Sequence, residues 1–271
     1  MPDLRPMEMG EILDGALTIY RRHFGLFVRL GVAALFVPVL LTVYIQFSGG
    51  QQAHVALWFL TTVIQYFATL LLTAGAIRVI SDSYLGREPQ LSEALALGFA
   101  KMGPLFVVGF AKGLIMVLIG GGVGLVVFIL VSAQAGAVTG LLMVAAVIGG
   151  FWFLIWVACG YAVTTQSVVL EALPGVFEAF GRSWNLTSGF RRKIFNIAFV
   201  AGLIVYVPTA AVAGVGAAMA VESPITQQVF QVFAAVLPMV LTPILSCVYT
   251  LMYYDLRVRR EGFDLEQLGL S

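Results

Sequence analysis

The chain has 271 residues, 60% of them hydrophobic and 11% charged, with 15 basic and 14 acidic side chains and a formal net charge of +1. Soluble domains carry about 25% charged residues, and at a mean hydropathy of +0.98 a soluble fold is excluded, because so few charges cannot cover so much apolar surface. The near-neutral balance also excludes the basic face that nucleic-acid binding requires.

Six stretches reach the roughly 20 apolar residues that a spanning helix needs: 24–47, 55–80, 104–131, 141–169, 194–221 and 229–254. They are too long and too evenly apolar for barrel strands, which alternate, so the sequence predicts an all-α, six-span protein. Arg21 and Arg22 before the first run resemble a twin-arginine export signal. That run is long, carries Arg29 and has no clean small-residue cleavage site, so it reads as a retained span. Of the loops, "SGGQQAH", "SAQAGAVTG" and "ESPITQQ" contain no Lys or Arg. Every basic residue except Lys112 lies in or beside the other segments, and the positive-inside rule then makes both termini cytoplasmic. Glu222 is the one charge assigned to the outer side, as a solvated loop residue.

Amphipathic segments precede spans one, three and five. Ile12, Leu13, Ala16, Leu17, Tyr20 and Phe24 share one face, as do Leu91, Leu95, Phe99 and Met102, and then Leu173, Val176, Phe177, Phe180 and Trp184. Aligned, these segments read "EILDGALTIYRRHFGLF", "EALALGFAKMGPLF" and "EAFGRSWNLTSGFRRKIF". Each opens on a glutamate, turns basic and enters a span. The prediction is a single membrane domain over 1–271. It comprises three parallel pseudo-repeats (8–89, 90–173 and 174–260), each an interfacial helix plus a hairpin of two spans, followed by a short cytoplasmic tail, 261–271. Every hairpin ends on an acid, Asp82, Glu171 or Asp255, which the basic residues of a neighbouring unit could pair.

The stretches "MGEILDGALTIYRRHFGLF", "DSYLGREPQLSEAL", "GRSWNLTSGFRR" and "YYDLRVRREGFDLEQL" resemble the membrane domain of the bacterial glycerophosphodiester phosphodiesterase family. That domain is found fused to the enzyme and also as stand-alone integral membrane proteins. The resemblance implies a polytopic helical fold in the cytoplasmic membrane of a bacterium. It does not bring the activity, because the catalytic barrel with its paired histidines and metal-binding carboxylates has no counterpart here. His23 and His54 are predicted on opposite sides of the membrane, and no catalytic, metal-binding or cofactor-binding set is expected.

Lys112 lies inside span three, where an ionisable group is costly and suggests function. It either faces a cavity or a partner, or snorkels to the interface. Gly109, Gly113, Gly120 and Gly124 stand at four-residue spacing in that span, which suits close helix packing or a mobile helix. Pro208, Pro238 and Pro243 suggest kinks. Cys159 and Cys247 read as buried packing. The expected function is non-enzymatic: binding or moving a phospholipid or lipid-like substrate through the bundle. Lys112, Arg29, Arg22, Arg182 and Arg191 would serve anionic headgroups. The alternative is a scaffold or subunit that docks a partner protein on its cytoplasmic face.

Overall fold

The computed structural model describes residues 6–132, 136–219 and 224–262. Arg5, Glu222, the end of predicted span five and tail residues 263–271 lie outside the described residues. Ten helices occur among the described residues: α1 (Met9–Arg22), α2 (Phe24–Phe47), α3 (Gly50–Ala53), α4 (Val55–Tyr84), α5 (Leu91–Ser132), α6 (Gly136–Gly160), α7 (Thr164–Leu170), α8 (Glu178–Thr187), α9 (Arg191–Ala218) and α10 (Pro224–Glu261). Six helical segments are long and apolar enough to cross a membrane, with α6 and α7 together making the fourth. The protein is thus an all-helical, multi-pass membrane-type fold. Its most apolar window, within α5, contains no buried residue, and Leu118, Leu125 and Phe128 there are all well over half exposed. Such a surface is stable only against hydrocarbon.

α10 is the hub. It packs against α9, α2, α4 and α1, while α4 carries α5 and α5 in turn carries α6. The main core gathers at the charged end of the bundle, around Phe27, Leu72, Ile194, Leu251 and Tyr253. Beyond Val108, α5 contributes no buried residue.

α1 starts where the backbone N–H of Glu8 donates to Glu11 Oε2 at 2.7 Å, satisfying one of the orphan donors of a first turn. Arg21 and Arg22 close its last turn, where the helix dipole favours positive charge. Its predicted apolar face holds in part. Ile12, Ala16 and Tyr20 are buried against the bundle, whereas Phe24 is 45% exposed. At the α1–α2 corner, His23 shares a hydrogen bond with Ser83 Oγ at 2.8 Å. Burial, and secondly the neighbouring Arg22, hold its pKa below the ordinary 6.5. The unfolded chain therefore protonates His23 first, and stability falls as pH drops below about 6.5. Thermal melts should show a smaller loss between neutral pH and pH 5.5 in His23→Gln than in wild type.

Three expectations are corrected. The segment before span three is not a separate interfacial helix, because α5 runs unbroken through Pro104. Its buried stripe there is Ala94 and Gly98, followed by Leu105 and Val108, while Phe99 is 63% exposed. Gly98 lies so close to α4 that a Cβ would come within 2.5 Å of the Leu71 side chain. Predicted span four is broken at residues 161–163 between α6 and α7. In α8 the fully buried residues are Ala179, Ser183, Leu186 and Thr187, while of the predicted apolar face Phe180 and Trp184 are only half-buried and Phe177 is 70% exposed. Pro208, Pro238 and Pro243 sit inside continuous α9 and α10 and interrupt neither helix.

Candidate functional site

The break in span four builds the site. After Gly160 the chain turns through Tyr161, Ala162 and Val163 before resuming as α7, which frees carbonyls that hydrocarbon cannot satisfy. Side chains take them up. Ser183 Oγ and Thr187 Oγ1 donate to the Gly160 carbonyl at 2.9 and 3.1 Å, and Thr164 Oγ1 donates to that of Tyr161 at 2.9 Å. α8 is thereby fixed against the break. Gly160 is required here, because a Cβ would stand 2.5 Å from the Trp184 ring. Gly160→Ala should cost about 1–3 kcal/mol in an unfolding titration, as overpacking typically does.

Between α4, α5, the broken α6–α7 span, α9 and α10 lies an open-sided cavity of about 660 Å³, within the range of small-molecule sites. Its wall is mostly apolar, with Met116, Ile155, Phe195, Phe199 and Leu245 among its members. Thr73 of α4 and Tyr161 of the break add polar groups, and two elements supply more. Thr242, Ser246 and Tyr249 share one face of α10, and Thr165 and Gln166 project from α7. Gln166 is only 4% exposed, yet its Oε1 has no hydrogen-bond partner.

Lys112 also lines this cavity. It lies roughly 16 Å further along α5 than Lys101 at 1.5 Å per residue. Lys101 donates to the Val168 carbonyl at 2.8 Å, whereas Lys112 makes no hydrogen bond or ion pair with any described residue. Gly113 lines the cavity beside it. The predicted glycine packing stripe is otherwise not a contact surface within the chain. Only Gly109 is closely approached, by the Tyr66 hydroxyl, and a Cβ at Gly113, Gly120 or Gly124 would meet open space.

The charged end is held by three ion networks, and two of the predicted exit acids find partners other than those expected. Asp82 pairs at 2.7 Å with Arg78 one helical turn before it in α4, and Arg78 also reaches Glu93 at 3.0 Å. Asp255 binds Lys193 at 2.5 Å and Arg259 at 3.0 Å, both from its own predicted unit, and accepts from the backbone N–H of Met7 at 2.7 Å. Only Glu171 meets a cation of another predicted unit, Arg182, at 2.9 Å. Arg182 is also bound to Glu261. Hydrogen bonding to Glu261 leads the effects that raise its pKa, against partial burial and ahead of Glu171. Arg182 is thus committed to carboxylates and is not a free headgroup ligand. Arg22 and Arg29 are exposed and do not line the cavity, and Arg29 Nε donates to the Gly25 carbonyl at 3.2 Å.

Arg191 differs from the other arginines. Its guanidinium carbon lies 3.6 Å from the Trp156 ring centroid and 4.0 Å from that of Trp184, in the corner between two indoles set at 84°. Sequence reasoning named Arg191 but neither tryptophan as its partner, and it missed Gln166. Gln166 had a legible signal, the run "GYAVTTQS" inside an otherwise apolar span.

No group of three His, Cys, Asp or Glu side chains able to hold a metal ion occurs among the described residues. The protein matches no protein-family model, no curated protein and no solved structure.

Proposed function

We propose that this is a non-enzymatic integral membrane protein that binds or moves a phospholipid or lipid-like amphiphile through the α5–α10 cavity. Lys112 holds the negatively charged end of the ligand. One observation carries the reading: an unpartnered lysine lines a cavity of about 660 Å³ with mostly apolar walls. An ammonium within an apolar span and without a counter-ion is costly, and a headgroup phosphate or carboxylate would offset that cost while its chain contacts Met116, Phe195 and Phe199. Unpaired Gln166 supports a ligand with a polar end, since its Oε1 accepts a hydroxyl or ammonium donor. A broken helix beside a polar-lined site is also how membrane carriers place substrate groups.

The scaffold alternative expects a solid bundle with Lys112 turned outward, and the cavity favours the first reading over it. The setting belongs to the same proposal: the cytoplasmic membrane of a bacterium, with both termini and the charged end in the cytoplasm by the positive-inside rule. The three-unit repeat and kinship with the glycerophosphodiester phosphodiesterase membrane domain are likewise proposed, on the motifs quoted above.

The test is native mass spectrometry of protein extracted gently from its own membrane, with wild type and Lys112→Leu side by side. A defined lipid, enriched on wild type and at least tenfold depleted on the variant, is expected. Equal lipid on both would overturn the role of Lys112, and a stoichiometric protein partner with only bulk lipid would favour the scaffold.

A further inference from the structure

Arg191 combines four properties that no other basic residue among the described residues combines. It opens α9 one turn before Ile194, which lines the cavity. It is wedged between Trp156 of α6 and Trp184 of α8. Its Nε and Nη1 are buried without an acceptor, and Nη2 is left as the donor free to reach a ligand. It also has no carboxylate within ion-pairing distance. Acids of the charged end are engaged elsewhere: Glu171 by Arg182 and Tyr253, Glu261 by Arg182 and Arg257, and Asp255 by Lys193 and Arg259.

Three elements thus converge to hold one cation still, and no described residue neutralises it. Aromatic faces stabilise a guanidinium but supply no hydrogen-bond acceptor, so Nε and Nη1 stay unpaired at a cost to the folded state and Nη2 remains available. A planar, pre-oriented guanidinium with an open terminal nitrogen is suited to phosphate oxygens, which it binds by short charge-assisted hydrogen bonds. The position is equally specific. Tyr161, whose ring lies 5.3 Å from that of Trp184, and Cys159 both line the cavity. Arg191, Trp156 and Trp184 do not themselves line the cavity, but Cys159, Tyr161 and Ile194 beside them do, which puts the guanidinium just outside it, towards the charged end of the bundle.

We propose that Trp156, Arg191 and Trp184 form a phosphate clamp beside the cavity, separate from Lys112 within it. The clamp takes the phosphate ester of an amphiphile headgroup, or the same group as a free anion. Only the choice of a lipid as the phosphate's source rests on the proposed function. Gly160 is a positioning residue, because it lets Trp184 approach close enough to complete the corner.

The tryptophans provide the assay. With Trp58→Phe and Trp152→Phe, the indole emission comes from Trp156 and Trp184 alone. The full chain in maltoside detergent, which has no phosphate, is titrated with dihexanoyl phosphatidylglycerol, with inorganic phosphate and with dihexanoylglycerol. A saturable emission change with phosphatidylglycerol and none with dihexanoylglycerol is expected, weakened at least tenfold by Arg191→Gln. Arg191→Lys keeps the charge but loses the planar fork, and should weaken binding at least threefold. It carries the test should the Gln variant not fold. An equal affinity for inorganic phosphate supports the clamp and assigns it to free anions, while a weaker one assigns it to headgroups. No saturable change with any phosphate, or a change that survives both Arg191 substitutions, overturns the proposal. A fluorescence response without retained lipid in the native mass spectra would overturn the cavity reading alone. Retained lipid without a response would overturn the clamp alone.

Discussion

Lys112→Leu is expected to make the ligand-free protein more stable while stripping it of ligand. A lysine at the centre of a spanning helix costs about 2.5–3.5 kcal/mol to insert. Lys112 faces a cavity rather than bare lipid, so part of that cost is already relieved, and a gain of about 1–2 kcal/mol in the delipidated state is the reasonable expectation. In the liganded state the sign reverses, because ligand binding stabilises the wild type by mass action and the variant lacks its anchor. Unfolding measured before and after exhaustive delipidation separates the two. A snorkelled or ion-paired lysine gives a different pattern: its removal leaves both states unchanged or destabilises both. Opposite signs in the two states therefore identify a residue held at a cost to folding for the sake of a ligand.

Asp255→Asn should be the most damaging single change at the charged end. The Asp255 side chain is fully buried. It accepts hydrogen bonds from Lys193, Arg259 and the Met7 N–H, so one carboxylate ties α9, α10 and the segment ahead of α1 together. Asparagine cannot neutralise two cations. Breaking a buried pair typically costs 3–5 kcal/mol, and with Lys193 and Arg259 at 21% and 26% side-chain exposure, partly able to rehydrate, a loss of about 3 kcal/mol is expected. The measurement is unfolding in a matched detergent. A change below 1 kcal/mol would show that the network is peripheral to folding. Arg257 and Glu261, one turn apart and partly exposed, should matter far less, as surface helix pairs do.

The sequence was legible where one physical term dominates. Apolar run length placed α2 to the residue and located all six spans, because a hydrocarbon solvent permits little else. It failed where two terms compete. Ranking faces by hydrophobicity singled out Phe99 and Phe177, which the fold leaves exposed, whereas the residues buried beside them are Ala94, Gly98, Ala179 and Ser183. In a membrane large apolar side chains lose nothing by facing lipid, and small ones let helices approach. The break at 161–163 was invisible to averaged hydropathy, since Ser183, Thr187 and Thr164 satisfy its carbonyls from positions that spacing does not reveal. Partner choice among charges was equally hidden: Asp82 takes the arginine one turn away, and Asp255 reaches a lysine on the neighbouring helix. Of the candidate site, Lys112 was readable from its depth in an apolar span. Gln166 and the two tryptophans around Arg191 needed three-dimensional convergence.

The central claim is that the cavity lined by Lys112 takes an amphiphile, and photo-crosslinking in reconstituted vesicles tests it most directly. An anionic phospholipid carrying a diazirine in its acyl chain is activated by light, and the adducts are mapped by peptide mass spectrometry. The account predicts adducts at Met116, Phe195 and Phe199, competed by unlabelled anionic lipid and lost in Lys112→Leu. Adducts confined to outward-facing residues such as Phe128, Ile148 and Trp152, unchanged by competitor or by the substitution, would contradict it.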